Sequence, residues 1–389
     1  MRDYVSAGSL VEMARLLITA ESANPPGSER RAADAARVLL ADLGAEISEV
    51  EPAPGRVSLV ARVGDRGSPT LLVNGHLDTV PVGPAPWAHD PFAGEVSDGR
   101  LWGRGSADMK GGVAAAIEAV HAVRRSGAEL PCDVVFHLVA DEERGGQLGT
   151  RVLLERGLIS ADACIVPEPT GLDVCVAERG ILHLDVRLHG TPVHASEPRR
   201  GVSAIEKAAK VVLAVHAADF GHPAHPLLGK PTANAGMIQG GTGANVVAEH
   251  CVVTVDHRAL PGQSQDDAVD DVRRLIDAIH DPELRYELEP IVFGEASELR
   301  PDHAWVGRVG ATIATVMGRA PRVIGMPFAT DARFVRNQAA IPAVVCGPGA
   351  IEQAHVVDEW VAVDALVDAA VVYASIIAAF DKDAAALVR

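Results

Sequence analysis

Cysteine is scarce in this chain and follows no recognisable spacing. The five cysteines lie singly among apolar residues, without a Cys-x-x-Cys pair, at Cys132, Cys164, Cys175, Cys251 and Cys346. Isolated cysteines in apolar surroundings are typical of small buried side chains. We therefore expect reduced thiols, and the pattern argues against a disulfide framework and against a zinc site of the cysteine type.

The chain also lacks a long apolar run, a signal sequence and a concentration of positive charge. No stretch approaches eighteen uncharged apolar residues, and Met1–Tyr4 leads into an amphipathic pattern and not into the apolar core of a signal sequence. The formal net charge is −17, with no run of five like charges and no basic stripe. These features argue against nucleic acid or membrane as partner and predict a cytoplasmic protein.

Two common catalytic and binding motifs are missing as well. No Gly-x-Ser-x-Gly segment occurs, which disfavours a serine hydrolase. The glycine-rich segment Asp98–Gly112 has neither the GxGxxG nor the GxxxxGK[ST] spacing of a phosphate-binding loop.

What the sequence does contain is an alternation of apolar strands and helices. With 389 residues, 48% of them hydrophobic, the chain is long enough for two to three domains with real cores. Short, nearly continuous apolar segments indicate strands buried on both faces, and the intervals between them have helical spacing. The predicted strands are 70–74, 133–140, 163–166 and 343–346; the predicted helices are 10–20 with Ser9 as N-cap, 28–43, 110–125, 149–156 and 363–380. This pattern predicts an α/β fold with a helix-covered mixed sheet.

The middle of the chain has a different pattern. Leu182–Leu188 and Cys251–Arg258 alternate apolar and polar residues, which indicates antiparallel strands with one solvated face. Helices predicted at 204–217 and 264–279 complete an inserted α+β domain of the ferredoxin-like β-α-β-β-α-β type. The predicted limits are 1–180 and 292–389 for the two parts of the first domain and 181–291 for the insertion.

His76 and Asp78 follow an apolar strand at the point where it enters a turn. Residues two apart in an extended segment share a face, so the Asp78 carboxylate can support the His76 imidazole as a metal ligand. Taken alone, such a pair is more often a hydrogen-bonded surface pair than a metal ligand. Its significance depends on the other motifs.

Carboxylates collect at several further loop positions. Asp108 lies just before a predicted helix, where it could be a metal ligand or an N-cap. Asp141, Glu142 and Glu143 end an apolar strand; adjacent carboxylates repel each other, so a bound cation explains them, although a solvated acidic turn is the alternative. Glu168 lies between two prolines after the next strand.

A late histidine, His355, completes a set of two imidazoles and three carboxylates with His76, Asp108, Glu143 and Glu168. This mixture of nitrogen and oxygen ligands suits zinc or a related divalent ion. If Asp108 bridges two ions, each ion keeps one histidine and one glutamate and has open positions. Open positions favour a catalytic over a structural role.

The same segments resemble a known family. The order His-x-Asp, Gly-Arg-Gly-x-x-Asp-Met-Lys-Gly-Gly, Asp-Glu-Glu-x-Gly-Gly, Glu-Pro-Thr and Ala-His-x-x-Asp-Glu is similar to that of the M20 metallopeptidases and amidohydrolases. That family includes acetylornithine deacetylase, succinyl-diaminopimelate desuccinylase, aminoacylase-1 and glutamate carboxypeptidase. The likeness covers nearly the whole chain, including Ser22–Gly27.

The resemblance implies a role for each position. Asp108 would bridge two divalent ions, zinc with cobalt or manganese as alternatives; His76 and Glu168 would hold one ion, and Glu143 and His355 the other. Asp78 would support His76. Glu142 would be the general base that takes a proton from a water between the ions and returns it to the leaving amine.

In the inserted domain, His194 lies in a segment that resembles the part of the family whose histidine reaches into the partner subunit's site. This implies an oxyanion donor and a homodimer built through the insertion, although His194 could simply cap a loop. Asn245 and Arg258 resemble the family's binders of the substrate carboxylate. Arg258 could equally be a solvated residue of its strand.

Within the family, Gly347–His355 and Phe328–Arg333 are closer to acetylornithine deacetylase than to the desuccinylase. We therefore expect a di-metal hydrolase that cleaves the amide bond of a small-molecule N-acyl-L-amino acid. The alternatives are a dipeptidase, a glutamate-type carboxypeptidase or a succinyl-diaminopimelate desuccinylase with the same site. A metal-binding scaffold without activity is a remote alternative, because all five ligand positions and the base are present.

Overall fold

The computed structural model describes residues 1–65, 67 and 69–388; residue 389, which ends the predicted second part of the first domain, lies outside this range. The chain forms two compact units. The first comprises Met1–Val176, Leu299–Ile324 and Thr330–Arg389, and the second comprises Ala177–Glu298 and Gly325–Ala329. The second unit is therefore longer at both ends than the predicted insertion at 181–291.

The helices and strands are as follows. The strands are β1 (Glu46–Val50), β2 (Ser58–Val63), β3 (Thr70–His76), β4 (Val96–Ser97), β5 (Arg100–Trp102), β6 (Asp133–Val139), β7 (Ala163–Pro169), β8 (Val174–Glu178), β9 (Ile181–His189), β10 (Thr232–Gly240), β11 (His250–Arg258), β12 (Arg285–Gly294), β13 (Ser297–Glu298), β14 (Val323–Met326), β15 (Ala343–Gly347) and β16 (Trp360–Ala362). The α-helices are α1 (Ala7–Thr19), α2 (Arg30–Asp42), α3 (Lys110–Arg125), α4 (Thr150–Glu155), α5 (Ala204–His216), α6 (Gln265–Asp277), α7 (Ala304–Met317), α8 (Ala332–Asn337), α9 (Val363–Ala378) and α10 (Lys382–Val388).

The first unit is built on a mixed sheet, as predicted. Its strands follow the order β1-β2-β6-β3-β7-β15-β8. The central strands β6, β3, β7 and β15 are parallel, whereas β1 and β2 are antiparallel to their neighbours. These central strands are almost wholly buried. Helix α3 packs against β3, β7 and α9, while α7 and α8 contact β15.

The parallel strands determine where polar side chains can meet. In such a sheet, the carboxyl ends of the parallel strands lie at one edge, which is where ligands bind. His76 is the last residue of β3, and Glu168 lies at the end of β7. The turn after β6 and the loop after β15 begin at the same edge.

The second unit contains a four-stranded antiparallel sheet in the order β10-β11-β9-β12. The burial of β9 and β11 alternates residue by residue, so one face of the sheet is buried. That face packs with α5 and α6 around a core that includes Leu184, Val211, Val253 and Val272. The sequence order β-α-β-β-α-β is the one that the alternation predicted.

Two details differ from, or add to, the sequence analysis. Helix α1 begins one turn earlier than predicted, because the Ser6 side chain and not Ser9 is the N-cap and accepts a hydrogen bond from the Ser9 amide. All five cysteines are buried, and burial raises the pKa of Cys132, Cys164 and Cys346 to about 12.

Among the described residues, no single helix is long and apolar enough to cross a bilayer. In the part of the chain that the structure describes, α9 and α10 are long and apolar enough when taken together, but they are bent by 100° at the break between them.

Candidate metal centre

Five polar side chains converge at the carboxyl edge of the first unit's sheet. They come from the end of β3, the loop before α3, the turn after β6, the end of β7 and the loop after β15. They are His76, Asp108, Glu143, Glu168 and His355, and they form two groups that could each hold a metal ion. The structure thus brings together all five predicted ligands.

The first group contains His76, Asp108 and Glu168. His76 Nε2 lies 3.0 Å from Asp108 Oδ1 and 3.4 Å from Glu168 Oε1. All three side chains are buried. Their ligand atoms lie within 4.8 Å of one another, which is the spacing of a site that one divalent ion could occupy.

The second group contains Asp108, Glu143 and His355. His355 Nε2 lies 3.3 Å from Asp108 Oδ2 and 3.0 Å from Glu143 Oε2. Asp108 therefore presents one carboxylate oxygen to each group. This is the arrangement that a bridging ligand requires, and His355 is the most exposed member.

The first group places an imidazole and two carboxylates close together in a buried position, and each shifts the pKa of its neighbours. Burial disfavours the charged His76 imidazole, but the Glu168 carboxylate and the hydrogen bond to Asp108 outweigh burial and hold its pKa well above 6.5. Burial and the Asp108 carboxylate raise the pKa of Glu168 to about 8. Positive charge at this position would relieve both effects.

The second group shows the same imbalance. Hydrogen bonds to Asp108 and Glu143 raise the pKa of His355 to about 10. Burial opposes the ionisation of Asp108, yet its hydrogen bonds with the two imidazoles lower its pKa far below the ordinary value. Positive charge beside Asp108 and Glu143 is therefore favoured in this group as well.

Asp78 does not support His76 in the predicted way. His76 Nδ1 donates to the backbone carbonyl of Asp78 at 2.9 Å, whereas the Asp78 carboxylate is 3.6 Å away. This bond leaves Nε2 free to face the ligand group. The carboxylate instead accepts the backbone amides of Glu142 and Glu143, both at 3.2 Å, and thereby holds the turn that bears them.

Glu142 lies beside the ligands without belonging to either group. Burial holds its pKa well above 4.5, and so do the carboxylates of Glu168 and Asp331. A carboxyl group with a raised pKa can accept and return a proton close to neutral pH.

Asp108 is not a helix cap. The N-cap position of α3 is Met109, and no side chain caps this helix. Gly112 in the first turn of the helix instead allows a close approach to β7, because a Cβ atom there would lie 2.1 Å from the Pro167 carbonyl oxygen. The close approach brings the loop with Asp108 next to Glu168.

Comparison with known proteins identifies the family. A sequence model of the peptidase family M20/M25/M40 matches residues 72–379. The chain belongs to this family. It is 31% identical over 380 residues to the acetylornithine deacetylase of Proteus mirabilis, which covers 91% of this chain and 92% of that protein. It is 33% identical to the Vibrio campbellii acetylornithine deacetylase, over 83% of this chain and 84% of that one.

Solved structures agree on the fold. The aminopeptidase PepT of Bacillus cereus matches with a TM-score of 0.78 and 23% identity, over 96% of this chain and 99% of that one. Human carnosine dipeptidase 1 matches with a TM-score of 0.74 and 18% identity, over 95% of both chains. Family and relatives together make this protein a metal-dependent amidohydrolase, acting on N-acyl amino acids or peptides.

The three predicted residues of the insertion belong to the second unit. His194 is exposed, and its Nδ1 lies 2.7 Å from Ser196 Oγ. The backbone of Asn245 pairs with the same segment through the Ala195 amide. Arg258 donates to both carboxylate oxygens of Asp256 at 2.7 and 3.0 Å. It is therefore held by a neighbour on its own strand.

Sequence reasoning missed the residues that hold the ligand loops. Buried Glu359 accepts the amides of Ala107 and Asp108 and pairs with Arg104 at 2.6 Å, so it fixes the loop of the shared ligand. Asp331 accepts a 2.6 Å hydrogen bond from Thr150 near Glu142. The late Ala-His-x-x-Asp-Glu motif contained Glu359, but only its histidine was assigned.

Proposed function

We propose that this protein hydrolyses the amide bond of an N-acyl-L-amino acid, as a deacylase similar to acetylornithine deacetylase. The observation that carries the proposal is the pair of ligand groups that share Asp108, with Glu142 alongside. The substrate class is supported by the acetylornithine deacetylases to which the chain is similar, because these proteins match it over most of its length at 31–33% identity.

The ligand residues fit two divalent ions. Two imidazoles and three carboxylates are the donors that zinc accepts, and cobalt and manganese tolerate the same set. His76 and Glu168 would hold one ion, Glu143 and His355 the other, and Asp108 both. Such ions polarise a substrate carbonyl and lower the pKa of a water molecule.

Glu142 is the group left to move protons. It takes a proton from the attacking water and donates it to the leaving amine nitrogen, so that one carboxyl group serves as base and then as acid. Asp78 keeps Glu142 in place through the backbone amide. Thus the turn after β6 supplies a ligand and the proton carrier from adjacent residues.

The second unit would complete the site. We assign His194 the stabilisation of the developing oxyanion, in a homodimer formed through this unit. Its exposure leaves the imidazole available to a second subunit. Asn245 and Arg258 would bind the substrate carboxylate, for which Arg258 must exchange Asp256 for the substrate.

A substrate panel tests the proposal. Protein reconstituted with zinc or cobalt is assayed for free amine release from N-acetyl amino acids, N-succinyl-diaminopimelate and dipeptides. We expect the highest kcat/KM for an N-acetyl amino acid. Higher values for dipeptides would make the protein a dipeptidase, and no turnover of any amide with both ions bound would contradict hydrolysis.

A further inference from the structure

A buried arginine lies behind the turn that bears Glu142 and Glu143. Arg56 donates Nε–H and Nη2–H to the two carboxylate oxygens of Glu29 at 2.8 and 2.9 Å. The same Nη2 donates to Asp141 Oδ1 at 2.8 Å. Glu29 is fully buried, and Arg56 and Asp141 are nearly so. The guanidinium is therefore the link between Glu29 and the residue that precedes Glu142.

The chain around Arg56 is shaped to admit the guanidinium. Gly27 has a φ of +83°, and a Cβ atom there would lie 2.5 Å from Arg56 Cζ. A side chain at this position would push the guanidinium away, so the close approach requires glycine. Neighbouring Asn24 donates to both Asp78 Oδ2 and Asp141 Oδ1, at 2.9 and 3.2 Å.

Asp141 organises the turn through its carboxylate and its backbone carbonyl. Its φ is +69°, a conformation that aspartate tolerates better than most residues. Its Oδ2 accepts the Leu148 amide at 3.0 Å, and its carbonyl accepts the Gly146 amide at 2.6 Å. The orientation of Asp141 therefore determines the path of the turn, and with it the directions of Glu142 and Glu143.

Charge makes the arginine necessary. Glu29, Asp78 and Asp141 are three buried acidic side chains, and Arg56 forms ion pairs with two of them. Loss of the guanidinium would leave Glu29 and Asp141 to repel each other without compensation. Asp141 would then turn away, and the turn would lose its orientation.

We propose that Arg56 is a positioning residue of this enzyme, which aims the metal ligand Glu143 and the base Glu142 by holding Asp141. The effect of Arg56 on Glu142 rests on the proposed function. The effect of Arg56 on Glu143 is an effect on metal binding, and it is measured without substrate.

The chain offers a matched control on β2 and β6, the strands that follow Arg56 and precede Asp141. Arg62 pairs with Asp133 at 2.5 Å, at the opposite end of β6 from Asp141. Arg62→Met thus removes a comparable Arg–Asp pair far from the turn. Arg56→Met, Arg56→Lys and Arg62→Met are purified as full-length protein and compared with the wild type.

The first readout is zinc affinity, measured by competition with a chromophoric chelator on folded protein. For Arg56→Met we expect weaker binding of one of the two ions, by about 10- to 100-fold, which is typical when a residue behind a metal ligand is lost. Arg56→Lys should recover part of the affinity, because one ammonium can neutralise a carboxylate but cannot span both. Arg62→Met should retain the wild-type affinity for both ions.

The second readout is kcat with saturating zinc. We expect a loss of about 10- to 100-fold for Arg56→Met with KM changed little, and a smaller loss for Arg56→Lys. Unchanged zinc affinity in both Arg56 variants overturns the proposal, as does an equal loss in Arg62→Met. If Arg56→Met does not fold, Arg56→Lys decides, and wild-type affinity and kcat in that variant overturn it.

The two proposals fail separately. If the wild type releases no amine from any N-acyl amino acid while Arg56→Met still binds zinc more weakly, the proposed function is wrong and the role of Arg56 toward Glu143 stands. If the wild type is an active deacylase and both Arg56 variants match it in zinc affinity and kcat, only the role of Arg56 is wrong.

Discussion

Replacing Glu142 by glutamine separates proton transfer from metal binding. The two side chains have nearly the same shape, and the backbone amide at residue 142 can still donate to Asp78. None of the ligand atoms of either metal group is removed. We therefore expect the variant to bind metal as the wild type does.

The expected loss of activity follows from the chemistry. A positioned carboxylate that transfers protons contributes about 10²- to 10⁴-fold to a rate, or about 3 to 5 kcal/mol of activation free energy. We expect kcat to fall by at least about 10³-fold, because the same side chain serves in two steps. Amine release is measured on protein whose metal content is determined by mass spectrometry.

The same substitution has a second, opposite effect. In metal-free protein, burial and the Glu168 and Asp331 carboxylates hold the pKa of Glu142 well above 4.5, so its ionised form is disfavoured. The stabilisation associated with the neutral form is present at low pH and is lost as pH rises through that raised pKa. Glutamine is never ionised. Chelator-treated Glu142→Gln should therefore be more stable than the wild type at pH 8, with the difference shrinking toward pH 4.

Urea unfolding at both pH values measures this difference. Wild-type turnover in a fully metallated Glu142→Gln enzyme would refute the assignment of the base. Metal-free Glu142→Gln that is less stable than the wild type at pH 8 would refute the electrostatic argument. Removing the charge of Glu142 beside the Glu168 and Asp331 carboxylates could then not be the main effect of the substitution.

Three further predictions concern other parts of the molecule. Glu359→Gln leaves buried Arg104 without its carboxylate partner, so we expect a destabilisation of about 3 to 5 kcal/mol, seen as a lower Tm in calorimetry; a Tm within one degree of the wild type would contradict it. In the second unit, hydrogen bonds with His257 and His222 overcome burial and lower the pKa of Asp271 from 3.8 to about 2, which stabilises the folded unit. This stabilisation is present above pH 4 and is lost as pH falls toward 2. Hydrogen exchange of α6 should therefore be faster in Asp271→Asn than in the wild type at pH 7, and the difference should vanish at low pH. Equal protection of α6 at pH 7 in both proteins would contradict this prediction. Removal of metal by a chelator should abolish hydrolysis and lower Tm, and added zinc should restore both; full activity without metal would exclude a metal-dependent reaction.

Much of the fold of the first unit could be predicted from the sequence, because its strands are buried on both faces. The helix predicted at 110–125 has the same limits in the structure as α3. The start of α1 was misplaced because apolar periodicity begins only at Leu10, whereas the helix begins a turn earlier at its Ser6 cap. The limits of the second unit depend on the pairing of β13 with β8, a long-range contact that no local pattern records.

The metal ligands could be predicted because most of them lie where strands end, whereas the residues that hold their loops, such as Arg56 and Glu359, have no such position. A ligand at a strand end stands out, as His76 does after β3. Arg56 and Glu359 act instead through hydrogen bonds to residues 85 and more than 250 positions away. Nothing next to Arg56 in the sequence distinguishes it from an ordinary surface charge. Glu359 lies in the late Ala-His-x-x-Asp-Glu motif, but the motif does not show which residues its carboxylate contacts.

The order of strands in the first unit has a consequence for synthesis on the ribosome. Strand β15 lies between β7 and β8, which are neighbours in sequence, and it is translated only after the whole of β9 to β12. Until then, the facing edges of β7 and β8 have no partner strand between them, and open strand edges invite association with other chains. The nascent polypeptide therefore needs chaperone protection most while the second unit is being translated. The full set of five metal ligands cannot assemble before His355 has left the exit tunnel.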